Sequence, residues 1–255
     1  MSRVFITGST DGLGLAAART LMAEGHEVVL HARSSKRASA LADLARRSAG
    51  VVIGDLSSIV ETHAIAEQVN KIGRMNAVIH NAGIYTQSSR AATPEGHATV
   101  LAVNTLAPYI LTALIERPDR LVYLSSGMHR GGSGPLSDID WVERRWEASR
   151  AYSESKLYLI ALALSVARHW RGVLSNAVDP GWVPTKMGGA SAPDDLTLGH
   201  LTQTWLAVSN DPAARVTGGY WHHRQQQKPA AEALDPQFQD RLTDKLAELT
   251  GISLF

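Results

Sequence analysis

The sequence predicts an α/β fold, a doubly wound parallel sheet with helices on both faces, in one domain spanning residues 1–255. Three observations carry this. Strand-like and helix-like stretches alternate from the first residues. The strand candidates are unbroken apolar runs rather than alternating ones, as in strands buried on both faces. A chain of 255 residues with 44% hydrophobic content is also long enough for one core burying about 70–75% of its unfolded surface.

Strands are read at 4–6, 27–31 and 51–53, with helices over 13–23 and 36–47 between them. A helix over 59–71, a strand at 77–80, a helix over 95–116 and a strand at 121–125 continue the alternation. A long apolar helix runs from 152 to 170, followed by a strand at 175–178 and a last strand at 219–222. Stretches 131–150, 184–196 and 225–236 read as irregular. The tail 236–255 reads as a C-terminal helix, with Phe238, Leu242, Leu246 and Leu249 near helical spacing. Open parallel sheets bind ligands beyond the carboxyl ends of their strands, which makes 127–151 and 186–200 candidate substrate loops.

Composition narrows the function classes. Lys+Arg 25 against Asp+Glu 24 leaves +1, without any block of like charge, which argues against nucleic-acid binding. Cys 0 excludes disulfides, thiolate metal sites and cysteine nucleophiles. His222 and His223 are the densest histidine pair, but strand neighbours point to opposite faces, so no metal site is expected. The longest apolar stretch, 157–164, falls short of the ~20 residues of a membrane span, and structure beginning by Arg3 predicts no leader. A cytoplasmic protein is expected, with homo-oligomerisation left open.

The segment Thr7-Gly8-Ser9-Thr10-Asp11-Gly12-Leu13-Gly14 follows the first strand and opens the first helix. Small residues there let the backbone approach a pyrophosphate at a helix N-terminus; the alternative is an ordinary tight turn. The second strand ends in His31-Ala32-Arg33-Ser34, with no acid to hold a ribose hydroxyl. The Arg33 guanidinium matches a 2′-phosphate, helped by Ser9 and Ser34, so NADP(H) is preferred with NAD(H) admissible. Asp55 and Leu56 either bond and cover the adenine or open the next helix.

Tyr152 and Lys156 stand at i, i+4 on the long helix, a spacing that puts an ammonium beside a phenol and is expected to lower its pKa. Such a phenol is a proton donor for a carbonyl receiving hydride.

With Asn81-Ala82-Gly83, Asn104, Ser125-Ser126 and Pro180-Gly181-Trp182-Val183-Pro184-Thr185 in order around this pair and the glycine loop, the sequence resembles the short-chain dehydrogenase/reductase family. The resemblance implies a Rossmann fold with Tyr152 as general acid or base, Lys156 on the nicotinamide ribose and Ser126 on the reacting oxygen. It implies that Asn104 holds a relay water, that Asn81, Ala82 and Gly83 border the ribose, and that Pro180, Gly181, Val183 and Thr185 line the nicotinamide. The expected activity is hydride transfer between NADP(H) and a ketone/secondary alcohol or aldehyde/primary alcohol of small-molecule size. A non-catalytic NADP(H)-binding regulatory protein is the alternative, against which the four candidate catalytic residues speak. The insert between Ser126 and Tyr152 is about twice the family's usual length and is similar to that of retinol-dehydrogenase-like members and bacterial ketoreductases. Its Trp141 and Trp146 either wall an apolar substrate or fasten the insert to the sheet.

Overall fold

The computed structural model describes residues 1–85, 88–133 and 135–255. Its centre is a sheet of eight strands in the order β3-β2-β1-β4-β5-β6-β7-β8. The strands are β1 (Arg3–Ile6), β2 (Glu27–Ala32), β3 (Gly50–Ile53), β4 (Ala77–His80), β5 (Arg120–Leu124), β6 (Leu174–Asp179), β7 (Tyr220–His222) and β8 (Gln225–Gln227). All pairs are parallel except β7 with β8, a short hairpin that closes one edge. The strand order turns back beside β1, between β1 and β4, and the carboxyl ends of those strands mark the ligand crevice.

Two layers of helix cover the sheet. On one face α1 (Gly12–Ala23) packs with α8 (Leu196–Val208), burying Ala17, Leu21 and Leu206 against Ile6, Leu30 and Val178. The other face carries α4 (Ile59–Ile72), α5 (Thr99–Leu101), α6 (Ala107–Leu114), α7 (Ala148–His169), α9 (Ala231–Leu234) and α10 (Pro236–Thr250), over Phe5, Val78 and Tyr123. In α7 every residue from Ala151 to Val166 is buried. Among the described residues no helix is long and apolar enough to cross a membrane.

Several elements differ from expectation. The helix over 36–47 is broken into α2 (Ser35–Ser39) and α3 (Ala42–Arg47), the chain turning at Ala40 and Leu41. The helix over 95–116 starts later: α5 (Thr99–Leu101) widens into a π turn at Ala102–Leu106 before α6 (Ala107–Leu114). Helix α7 begins four residues ahead of Tyr152, at Ala148. Helix α8 was unforeseen, so the loop placed at 186–200 ends at Asp195, which caps α8 through Thr197 and Leu198 N–H. Stretch 225–236 is ordered into β8 and α9. His223 is not a strand residue: at φ +47° it turns out of β7 and its ring stacks on His222 with centroids 3.9 Å apart.

Candidate active site

The glycine loop is shaped by two close approaches. Gly8 leaves β1 at φ +64°, and a Cβ there would stand 3.1 Å from Ala82 Cα, so the chain after β1 runs against the chain after β4. At Gly14 a Cβ would fall 2.4 Å from the Gly8 carbonyl and from Asn81 Nδ2. Side chains fix this conformation from both sides. Asn81 Nδ2 donates to the Thr7 and Gly8 carbonyls (2.9 and 3.3 Å), and Ala82 N–H donates to Thr7 Oγ1 (3.0 Å). Opposite them, Gly8 N–H donates to His31 Nδ1 and His31 Nε2–H to the Gly54 carbonyl, each at 2.9 Å. Acceptance at Nδ1 requires the neutral ring, and burial holds the His31 pKa below its usual value.

Ser9, expected near a 2′-phosphate, is buried and stitches the loop to β2: its Oγ accepts the His31 N–H at 2.8 Å. The half-buried Thr10 precedes Asp11, which caps α1 by accepting Gly12 N–H (2.9 Å). Lys186, from the segment after β6, pairs with the Asp11 carboxylate and, more than any other group, lowers its pKa. The N–H groups of Leu13 and Gly14 meet no acceptor among the described residues.

Arg33 and Ser34 are exposed just beyond β2. Ser34 caps α2, and the Arg33 guanidinium has no hydrogen-bond or ion-pair partner among the described residues, whereas Arg37 lies 4.0 Å from Asp11. Asp55 accepts the Ser57 N–H and hydroxyl (2.9 and 2.8 Å), shaping the turn before α4, whose cap is Ser58. Leu56 beside Asp55 is 5% exposed and packs in the core cluster.

At the centre of the crevice α7 presents Tyr152 and Lys156. Lys156 Nζ donates to the Leu124 carbonyl at 2.7 Å, and complete burial brings its pKa down to about 8. A Cβ on Gly83 would lie 3.2 Å from Nζ and 3.4 Å from Asn104 Oδ1, which places all three together. The π turn aims Asn104 across the crevice: it accepts the Ile84 N–H (2.9 Å) and donates to the Ile84 carbonyl and Ser155 Oγ (3.0 Å each). The Ser126 side chain, which accepts the Met128 N–H at 3.2 Å, lies on the Tyr152 side of the crevice and acts to lower the phenol's pKa, and Tyr152 meets the Tyr85 ring edge-on at 4.7 Å. Its pKa moves opposite to expectation. Burial pushes the phenol up to about 12, and Asp179 and Tyr85 add to the rise. The Lys156 ammonium sits over the Tyr152 ring, 5.7 Å from its centre, and cannot offset that loss of water.

The nicotinamide side is formed after β6. Gly181 N–H donates to Asp179 Oδ1 (3.0 Å), Pro180 follows Asp179, and Val183 is buried. The Thr185 methyl stands 3.5 Å from where Gly12 would carry a Cβ, so this segment reaches over to the glycine loop.

The long insert is fastened down. Trp141 is buried, packs edge-to-face on Trp146 at 5.7 Å and lies 3.8 Å beneath the Arg144 guanidinium. Arg144 bonds both oxygens of Glu154 on α7 (2.9 Å each), while Asp138 accepts the N–H groups of Val142, Glu143 and Arg144. The tryptophans therefore pack the insert onto the core. His31, Glu154 and Asp179 were not singled out in the sequence, since each works through partners from other strands or loops.

The family model for short chain dehydrogenases matches residues 2–196. Short-chain dehydrogenase chyC of Penicillium rubens is 39% identical over 258 residues, covering 100% of this chain and 99% of that protein. Human retinol dehydrogenase 13 is 27% identical over 281 residues, covering 98% and 84%. Among solved structures, the carbonyl reductase Sniffer of D. melanogaster superposes with a TM-score of 0.69 at 22% identity, covering 91% of this chain and 99% of that one. A blue fluorescent protein from a metagenomic library, in complex with NADPH, gives a TM-score of 0.71 at 20% identity, covering 87% and 95%. The chain, with its Rossmann fold and its matching family model, belongs to the short-chain dehydrogenase/reductase family of nicotinamide-dependent oxidoreductases.

Proposed function

We propose that the chain is an NADPH-dependent carbonyl reductase acting on a small ketone or aldehyde. The observation that carries this reading is the Ser126–Tyr152–Lys156 cluster at the carboxyl edge of the sheet, with the phenol held in its protonated form.

The crevice fits a dinucleotide. The tight loop that Gly8 and Gly14 allow, where a Cβ would clash with Ala82 or the Gly8 carbonyl, leads into the start of α1, and among the described residues the Leu13 and Gly14 N–H groups there and the Arg33 guanidinium beyond β2 have no partner. Gly8, Thr10, Gly12, Leu13 and Gly14 would hold the pyrophosphate, and Arg33 with Ser34 the 2′-phosphate. Asp55 would face the adenine side, Asn81, Ala82 and Gly83 the ribose, and Pro180, Gly181, Val183 and Thr185 the carboxamide. When bound, the cofactor supplies the hydride.

The remaining work falls to the chain. Ser126 donates a hydrogen bond to the carbonyl oxygen and steadies the negative charge that grows there. Tyr152 gives its phenolic proton to that oxygen, so hydride plus proton complete the alcohol. Lys156 stabilises the phenolate left behind and would bond the cofactor's ribose, and Asn104 beside it orders the path by which the proton is replaced. A phenol that burial raises to about 12 stays protonated at neutral pH, the form from which it can give its proton to the carbonyl oxygen. NADPH consumption across a panel of aldehydes and ketones tests the reading. Turnover that falls steeply in Tyr152→Phe is expected, and absence of turnover throughout refutes it.

A further inference from the structure

Asp179 has no part in the reduction just described, yet it stands at the same crevice. Leu124 pairs with Val178, and Ser125 N–H donates to the Val178 carbonyl at 2.7 Å, so the carboxyl ends of β5 and β6 lie level. The Asp179 carboxylate faces the residue after Ser126: a Cβ on Gly127 would lie 3.1 Å from its Oδ2. Its charge also reaches the Tyr152 phenol, where it opposes ionisation.

The carboxylate is held in place but not saturated. Oδ1 accepts Gly181 N–H at 3.0 Å and Oδ2 accepts the Tyr220 hydroxyl at 3.2 Å. The Tyr220 hydroxyl sits 3.4 Å from His129 Nδ1, which is 2.7 Å from the Ser126 carbonyl, tying the anion to the backbone of Ser126. His222 Nδ1 stands 3.8 Å from Oδ2, beyond a hydrogen bond, and approaches the Asp179 carbonyl instead at 3.2 Å. Among the described residues no lysine or arginine pairs with Asp179, and its side chain keeps 16% exposure. Each carboxylate oxygen has room for about two hydrogen bonds, so an acceptor position remains on both.

A part-buried anion beside a carbonyl receiving hydride works against the reaction, because the substrate oxygen becomes negative as it is reduced. A substrate that brings a hydrogen-bond donor to the anion relieves both the unsatisfied acceptor and the repulsion. We infer that Asp179 is a specificity-determining residue that accepts a hydrogen bond from a hydroxyl or ammonium group carried by the carbonyl substrate. The substrate class is hydroxy- or amino-substituted ketones and aldehydes, an inference that rests on the carbonyl-reductase reading above.

The test compares kcat/KM for a hydroxyketone, its methyl ether and the matching aminoketone in wild type, Asp179→Asn and Asp179→Ala. Wild type should favour a donor-bearing ketone over the ether by about 10- to 100-fold. The ratio should collapse towards one in Asp179→Ala. The isosteric Asp179→Asn, which keeps an acceptor oxygen and the Gly181 bond, should retain a hydroxyl preference and lose an ammonium preference. This separates the two donors and covers an alanine variant that does not fold. An unchanged donor-to-ether ratio in Asp179→Ala, or no wild-type preference, overturns the inference. If wild type turns over none of the panel, the reductase reading fails on its own. Calorimetric binding of the hydroxyketone and its ether to the NADPH-loaded protein then decides on Asp179, equal affinities counting against it.

Discussion

Lys156 and Tyr152, one helical turn apart with the ammonium 5.7 Å from the ring centre, are displaced in opposite directions by the same burial, the lysine down to about 8 and the tyrosine up to about 12. Below pH 8 the pair is therefore a neutral phenol beside a cation. Tyr152→Phe keeps the ring and its edge contact with Tyr85 but removes the proton. It should leave NADPH binding in place and lower kcat by ~10²–10⁴-fold, as measured by steady-state reduction and cofactor titration.

The lysine sets the pH dependence. Its ammonium is present below about pH 8 and lost above it, so kcat/KM for reduction should fall as pH rises through about 8. In Lys156→Arg the cation persists, and that alkaline limb should disappear; an identical limb in the variant would assign it to another group. Stability responds with the opposite sign. Between about 8 and the ordinary 10.5 the unfolded lysine holds a proton that the folded one has released, so this residue's contribution to stability rises with pH. Denaturant melts of wild type and Lys156→Met from pH 8 to 10 should show the wild type gaining about 2–3 kcal/mol on the variant.

Arg33 is exposed beyond β2 with no protein partner among the described residues, so its removal should cost the fold little. Arg33→Ala should weaken NADPH binding by roughly 10- to 150-fold, the worth of a charge-assisted contact, and leave NADH affinity nearly unchanged. Fluorescence titration with both cofactors checks this; equal losses would remove the 2′-phosphate assignment.

Trp141 and Arg144 should act on stability. Trp141→Ala empties a buried site and should cost ~3–5 kcal/mol in equilibrium unfolding, with KM little altered in the folded enzyme. Arg144→Ala leaves Glu154, 1% exposed, with Arg150 at 3.3 Å as its ion-pair partner among the described residues, and should cost ~3–5 kcal/mol. Arg144→Ala with Glu154→Gln should recover part of that loss. A reordered substrate preference in a stable Trp141 variant would return the tryptophans to the substrate wall.

The strands were legible because each is buried on both faces and reads as an apolar run, and the glycine loop and the Tyr152–Lys156 spacing because they are local. Helix α8 escaped notice since Thr202, Gln203 and Thr204 are buried in its middle and interrupt the apolar pattern. The fracture at Ala40 and Leu41 and the π turn at Asn104 likewise leave no mark in hydrophobic periodicity. Bonds between distant residues were out of reach altogether: His31 meets Gly8 across 23 positions, Tyr220 meets Asp179 across 41, and Tyr220 meets His129 across 91.

The grip of Arg144 on Glu154 also makes the insert unsuited to exchange. A loop transplanted here without a counterpart of Arg144 would leave the carboxylate sealed inside the helix that bears Tyr152, two residues from the proton donor, with the Arg150 guanidinium and no second one among the described residues. Conversely, this insert grafted onto a helix lacking that carboxylate would lose the anchor that Arg144 finds there. Loop and helix thus form one heritable unit, and recombination between family members would have to cross the chain outside residues 138–154 to give a folded hybrid.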